Sequence, residues 1–235
     1  MVGGTLTKVV SGYQSTNPRK FRRRIRRRWR QGKLKFRNLV PSFGTGIPES
    51  IVMKMKYTAV LSYNSITTSP FYHFFKINDL YDPDQTGVGH QPYYFDQISN
   101  LWARYTVYGC KMDIRTVATV GNPAVIMKGQ RDVTPVGTAD LAMERPDTKY
   151  VLMTSGGDQK RLSRYYPINK VFGITKSGVN DDDLLSGAFN ASPSRVYYVQ
   201  IIAQSPDNTT SVAGHITVDM TFYCRWYDRI RHSQS

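Results

Sequence analysis

Tyr105-Thr106-Val107-Tyr108-Gly109-Cys110-Lys111-Met112-Asp113-Ile114-Arg115-Thr116-Val117-Ala118-Thr119-Val120 is the stretch whose reading decides the fold. Tyr105, Val107, Met112, Ile114 and Val117 recur among polar neighbours, and Val, Ile, Tyr and Thr dominate. A segment of that kind is a strand with one face in a core.

The same pattern extends outward on both sides. Ile51–Tyr63 and Phe71–Ile77 precede it, and Ala124–Gly129, Tyr150–Thr154, Lys160–Tyr166, Lys170–Thr175, Arg195–Ala203 and His215–Trp226 follow it. Turn-forming clusters separate these runs: Asp82-Pro83-Asp84, Gly121-Asn122-Pro123, Ser155-Gly156-Gly157-Asp158, residues 180–183 and residues 205–208. Tyr94–Ala103 alone reads as helical, with Phe95, Ile98 and Trp102 on one face. About eight strands, little helix and several long loops predict an all-β, two-sheet sandwich, and the eight-stranded jelly roll leads among such folds. No internal repeat is present.

A chain of 235 residues holds one such sandwich with a substantial core and is short for two ordinary domains. Its composition, 40% hydrophobic and 12% aromatic, is that of a globular protein. Cys110 and Cys224 each sit in a strand-like run, which predicts buried free thiols instead of a disulfide framework. No apolar stretch is long enough to span a bilayer, and the first residues lack the hydrophobic segment of a secretory signal. The expectation is a protein made and assembled inside a cell. Asn190-Ala191-Ser192 and Asn208-Thr209-Thr210 then read as plain loops despite matching the glycosylation pattern.

Charge divides the chain unevenly. Residues 1–48 contain 13 Lys or Arg and no acid, whereas residues 49–235 carry 19 basic residues against 17 acids. The reading is therefore a basic N-terminal arm, 1–48, disordered or partly helical by itself, joined to a nearly neutral sandwich, 49–235. Like charges oppose collapse, so the arm needs a polyanion, and neutralising phosphates releases condensed counterions. Within it, residues 1–18 are a polar leader, 19–37 the charge block, and Pro41, Gly44, Gly46 and Pro48 punctuate a linker.

Arg19, Lys20, Arg22, Arg23, Arg24, Arg26, Arg27, Arg28, Arg30, Lys33, Lys35 and Arg37 are the candidate phosphate contacts. The planar arginine fork binds phosphate through two parallel hydrogen bonds. Phe21, Ile25 and Trp29 recur every four residues, which in a helix makes one apolar stripe. Trp29, with Phe21 and Phe36, would stack on unpaired bases, or the stripe would pack beneath a shell. The block also has the form of a nuclear localisation signal. Membrane contact is its rival reading, since a basic amphipathic helix with Trp and Phe suits anionic lipid.

The segment Asn78–Arg115 resembles capsid proteins of circular, Rep-encoding single-stranded DNA (CRESS-DNA, circovirus-like) viruses. There an Asp-Pro-Asp…Thr-Gly…Gly-His-Gln-Pro loop precedes Asp-Gln, a short helix and a Tyr-x-Val-x-Gly-x-Lys strand. Here these are Asp82-Pro83-Asp84, Thr86-Gly87, Gly89-His90-Gln91-Pro92, Asp96-Gln97 and Tyr105-x-Val107-x-Gly109-x-Lys111. The resemblance implies a coat protein on a single jelly roll, sixty copies in an icosahedral shell, and a virion protein passing through the host nucleus. Single-stranded viral DNA would be its cargo, other capsid subunits its partners, and host import machinery and a cell-surface receptor further ones. Sixty arms would bring about 780 positive charges, enough for on the order of a thousand nucleotides.

Nothing points to an enzyme or a cofactor. His73, His90, His215 and His232 lack metal-ligand spacing, and Gly44-Thr45-Gly46 and Gly87-Val88-Gly89 lack the rest of a phosphate loop. His90 reads as a hydrogen-bonding anchor. Asp82 and Asp84, or Asp181, Asp182 and Asp183, read as turn-forming acids on solvated loops instead of calcium ligands, so no metal site is expected. Three alternatives remain: a coat protein of a small RNA or satellite virus, a nucleic-acid-binding module that never assembles, and a secreted sandwich lectin or glycosidase.

Overall fold

The computed structural model describes residues 47–66, 69–157 and 159–230. The proposed arm contacts from Arg19 to Arg37 lie outside the described residues. So does His232.

Nine strands form two antiparallel sheets. They are β1 (Ser50–Ser65), β2 (Phe71–Lys76), β3 (Trp102–Val120), β4 (Ala124–Gln130), β5 (Thr148–Leu152), β6 (Lys160–Pro167), β7 (Ser186–Ala188), β8 (Tyr198–Gln204) and β9 (Val212–Arg229). One sheet runs β1-β9-β3-β6, with the three-residue β7 paired to β3, and the other runs β2-β8-β4-β5. Setting β7 aside, the first strand pairs with the last, β2 with β8, β3 with β6, and β4 with β5. Successive pairs alternate between the sheets. That is a long antiparallel ribbon rolled up on itself, the jelly roll expected from the sequence.

The core lies between the sheets. Met55, Tyr57, Tyr63, Val107, Met112, Ile114, Val218, Phe222 and Trp226 of the first sheet meet Phe75, Val125, Met127, Val199 and Ile201 of the second. Period-2 alternation accounts for this in β9, where every second residue from Val212 to Trp226 is buried. In β4 all seven residues are buried, because its other face is covered as well. There Ala124, Ile126 and Ile202 pack against Val136 and against Ala139 and Ala142 of a helix, α2. The outer face of the β1-β9-β3-β6 sheet has no such helix and stays partly open.

Four short helices punctuate the loops: α1 (Phe95–Ser99), α2 (Ala139–Glu144), α3 (Ile168–Phe172) and α4 (Gly178–Asp181). The helix expected over Tyr94–Ala103 is only five residues long, and Trp102 and Ala103 open β3 instead. Trp102 is buried like Phe95, but from a strand, with its Nε1–H donating to the Pro48 carbonyl. The strand expected at Lys170–Thr175 is α3 and its exit turn. Gly173, at φ 71°, caps the helix in the left-handed region, and the Ile174 N–H returns to the Asn169 carbonyl. Short apolar runs such as Val171-Phe172 suit either structure, and here the glycine stop decides. The run Arg195–Ala203 begins its strand only at Tyr198, because Asn78 holds the preceding backbone. Its amide donates to the Arg195 carbonyl and its Oδ1 accepts from the Tyr197 N–H.

Cys110 and Cys224 are free and fully buried, as expected. Burial pushes both thiols up, Cys224 to about 12. Native protein is therefore expected to leave both thiols unlabelled by an aromatic disulfide reagent at pH 8, while urea-unfolded protein reacts at both. Rapid labelling of either in the folded protein would contradict their placement.

Candidate functional site

The loop between β2 and β3, which contains most of the resembling segment, is built on buried polar anchors. Asp79 is 0% exposed. Its Oδ1 accepts from the Tyr105 hydroxyl at 2.8 Å and from the Tyr81 and Asp82 N–H groups at 3.0 and 3.3 Å, and Lys76 Nζ stands 3.6 Å from its Oδ2. Lys76 also donates to Asp82 at 2.8 Å. Asp84 is buried too, against the expectation of a solvated turn acid. It sits 2.9 Å from His73 Nε2 and accepts from the Thr86 N–H and hydroxyl. Asp182 caps the turn at Leu184 and pairs with Arg195. His90 is an anchor, its ring 4.6 Å from that of Tyr57 and its nitrogens between the carbonyls of Gln91 and Thr58. These acids hold backbone and cations of their own chain. No group of three or more metal-ligating side chains occurs among the described residues.

The open sheet face carries the free charge. Strand register fixes its rows: Lys54–Tyr223–Gly109–Pro167, then Lys56–Thr221–Lys111–Tyr165, Thr58–Asp219–Asp113–Ser163, and Val60–Thr217–Arg115–Arg161. The last two rows are internally neutralised. Arg115 pairs with Asp219, and Asp113 takes both Lys111 at 2.7 Å and Arg161 at 2.8 Å. Partial desolvation pushes the Asp113 carboxyl up, but Lys111, Ser163 and Arg161 outweigh it and hold the group near 2, so it is charged at any neutral pH.

Toward the other end the cations are unmatched. Among the described residues Lys54, Lys56 and Arg225 have no carboxylate partner; Lys54 lies 5.2 Å from the centre of the Tyr223 ring, and Arg225 5.3 Å from that of Tyr227. This is also the end where the chain enters the body. Ile47 accepts from Arg229 Nη1 and Pro48 from Trp102, so the point at which the basic segment joins is seated beside these cations.

A bulge shapes the edge of this half. The β3–β9 register slips between Val107 and Gly109, which makes Tyr108 the extra residue. Val107 and Cys110 both face the core, and Tyr108 is turned out, as bulges re-aim side chains. Beside it an open cavity of about 470 Å³ is lined by Tyr108, Tyr165, Pro167, Asn169, Lys170, Lys176 and Val179. The Tyr108 hydroxyl donates to Asn180 at 2.7 Å. The Tyr165 ring meets Tyr223 edge-on at 5.7 Å and lies over Gly109, where a Cβ would stand 2.3 Å from its oxygen. Desolvation, with Tyr223 and Cys110 nearby, raises the Tyr165 phenol above its usual range, so it remains a neutral donor. Neither Lys170 nor Lys176 has an ionic partner among the described residues, and no acid lines the cavity. Two cations, two phenols and an amide can hold an anion together with a flat ring.

Gly109→Ala is expected to fold with a loss of about 1 kcal/mol or less, because the atom in the way is the tip of a side chain that can swing aside. Its Tyr165 should lose the packing against Tyr223, read as a change in near-ultraviolet circular dichroism. Loss of the fold would mean that the backbone at Gly109 is itself strained.

Sequence reading put the polyanion contacts on the arm and missed Tyr108, Tyr165, Tyr223, Lys54, Lys56, Lys170, Lys176 and Arg225. Two outward residues in succession, Tyr108-Gly109, were the one local signal.

No protein-family model and no curated protein sequence matches the chain. Solved structures similar to it include one titled Desmodium yellow mottle tymovirus, at 10% identity, with a TM-score of 0.42 over 84% of this chain and 100% of that one. Another is a 60-mer BFDV capsid protein at 12% identity, with a TM-score of 0.43 over 80% of this chain and 100% of that one. A third is the Macrobrachium rosenbergii nodavirus at 11% identity, with a TM-score of 0.41 over 81% of this chain and 61% of that one.

Proposed function

We propose that this chain is a viral coat protein whose jelly-roll body tiles with copies of itself and whose basic arm gathers the packaged nucleic acid. The observation that carries the reading is the segregation of charge: thirteen cations without an acid in residues 1–48, joined to a sandwich of net +2. A body so nearly neutral does not repel its copies strongly, whereas the arm requires a polyanion. The jelly-roll strand order agrees with the fold implied by the resembling segment Asn78–Arg115, and sixty copies is the number that resemblance implies. Tyr81, Val88, Tyr93 and Tyr94 are exposed on the β2–β3 connection, which provides the aromatic surface that contacts between subunits favour.

The same resemblance makes single-stranded DNA the cargo and the host nucleus a stage of assembly, with the arginine block as import signal. An RNA coat protein uses the same physics. Nuclease treatment of disrupted purified particles separates the two: polynucleotide that DNase removes and RNase spares supports the DNA reading, and the reverse outcome assigns RNA. Protein that stays monomeric at low salt with either polynucleotide would sink the shell reading itself.

A further inference from the structure

We propose that the body carries a second polynucleotide contact of its own: a single strand lies across the half of the β1-β9-β3-β6 face nearest Ile47, with one nucleotide in the cavity beside Tyr108 and Tyr165. This rests on the coat-protein reading for its partner, and on separate residues for its site.

Three observations point there. The cations of this half, Lys54, Lys56, Arg225, Lys170 and Lys176, have no carboxylate partners among the described residues, whereas the far half of the same sheet neutralises itself through Asp113 and Asp219. An uncompensated cluster on one side of a sheet is an electrostatic footprint for phosphate. Aromatic rings stand among these cations at stacking reach: Tyr223 beneath Lys54, Tyr165 against Tyr223, and Tyr108 turned outward by the bulge. Phosphate-spaced cations interleaved with exposed rings suit unpaired bases, because a duplex keeps its ring faces stacked inside. Finally, about 470 Å³ falls within the ~300–1,000 Å³ of small-ligand clefts, room for one nucleotide but not for a helix.

Position strengthens the case. The basic segment joins the body at Ile47, at the same end of the sheet. A strand held by the arm therefore meets the face without a gap in its path. Lys170 and Lys176 take the phosphate that flanks the cavity, Asn169 and the two phenols meet base edges or a ribose, and Lys54, Lys56 and Arg225 carry the strand on across β1 and β9. The contact is sequence-tolerant, since every base has a ring face.

The test uses the full chain and an oligothymidine bearing iodouracil, with its RNA counterpart and an anionic lipid vesicle as the other probes. Photocrosslinked peptides are identified by mass spectrometry. The proposal expects crosslinks at Tyr108, Tyr165 or Tyr223 in addition to those in residues 19–37. With Lys170→Gln and Lys176→Gln combined, the body crosslinks should fall about tenfold while the arm crosslinks stay. The slope of log affinity against log salt should drop by about 1.4, at ~0.7 per single-strand phosphate contact. A higher yield with DNA or with RNA identifies the strand, and either supports the site. Crosslinks confined to residues 19–37, or an unchanged slope, overturn the body contact and leave the coat-protein reading intact. Vesicle binding that depends on the two lysines while oligonucleotide binding does not would assign the face to membrane and also overturn it. Crosslinks nowhere would remove both readings.

Discussion

Full-length protein with Arg22, Arg23, Arg24, Arg26, Arg27 and Arg28 replaced by Gln is expected to lose most of its salt-sensitive affinity for polynucleotide while its body folds unchanged. Each phosphate contact on a single strand contributes about 0.7 to the salt slope, so six account for about 4, and affinity at low salt should fall on the order of a thousandfold. The core that holds the body together is built from residues 55–226 and needs none of these arginines. Fluorescence titrations at several salt concentrations measure the slope, and thermal unfolding measures the body. Deletion of residues 1–40 should act in the same direction more strongly, leaving the residual slope of the sheet-face cations. A slope unmoved by the six substitutions would mean that the arm is not the principal contact. A body that unfolds on the deletion would contradict the division of labour between arm and sandwich.

The second large effect is expected at Asp79. Its carboxylate receives a hydroxyl and two backbone N–H groups and faces Lys76, all inside the body. Asp79→Ala removes the acceptor and leaves these donors in a dry site. Orphaned buried donors and a half-paired buried cation together cost about 3–5 kcal/mol. Lys76 retains Asp82 at 2.8 Å, which keeps the loss from running higher. Asp79→Asn keeps an acceptor at Oδ1 and should cost roughly half as much. Asp183→Ala makes the contrast: its carboxylate is 84% exposed and 3.6 Å from Arg104, and breaking such a surface pair should cost ~0.5 kcal/mol or less. Urea unfolding of the three variants measures the order. Equal costs for Asp79→Ala and Asp183→Ala would show that the loop does not depend on its buried carboxylate.

Much of this was legible in the amino-acid order. Alternation identified β1, β2, β3, β4, β6 and β9 because these strands have one face in the core, or both, and are rich in β-branched and aromatic residues. It misassigned Val171-Phe172, where two apolar residues and a glycine stop suit a single helical turn as well as a strand. It missed α2, whose Ala139 and Ala142 are small residues that signal a core only once β4 and β8 lie beneath them. The arm announced itself through composition alone. The sheet-face cluster could not, because it joins residues 54 and 56 to 108, 165, 170, 176, 223 and 225 across separations that only the rolled topology closes. Most of its charges sit singly in sequence, each next to polar or apolar neighbours that look like ordinary solvated strand positions. Asp79 and Asp84 were read as solvated for a related reason: a turn acid looks the same in sequence whether its backbone partners are exposed or buried.

Electron microscopy of the expressed full-length protein, before and after nuclease treatment at high salt, tests the central claim most directly. The coat-protein account predicts closed particles of one diameter that contain polynucleotide and loosen when it is digested. Separate single molecules at every concentration and salt, whether or not polynucleotide is supplied, would contradict it.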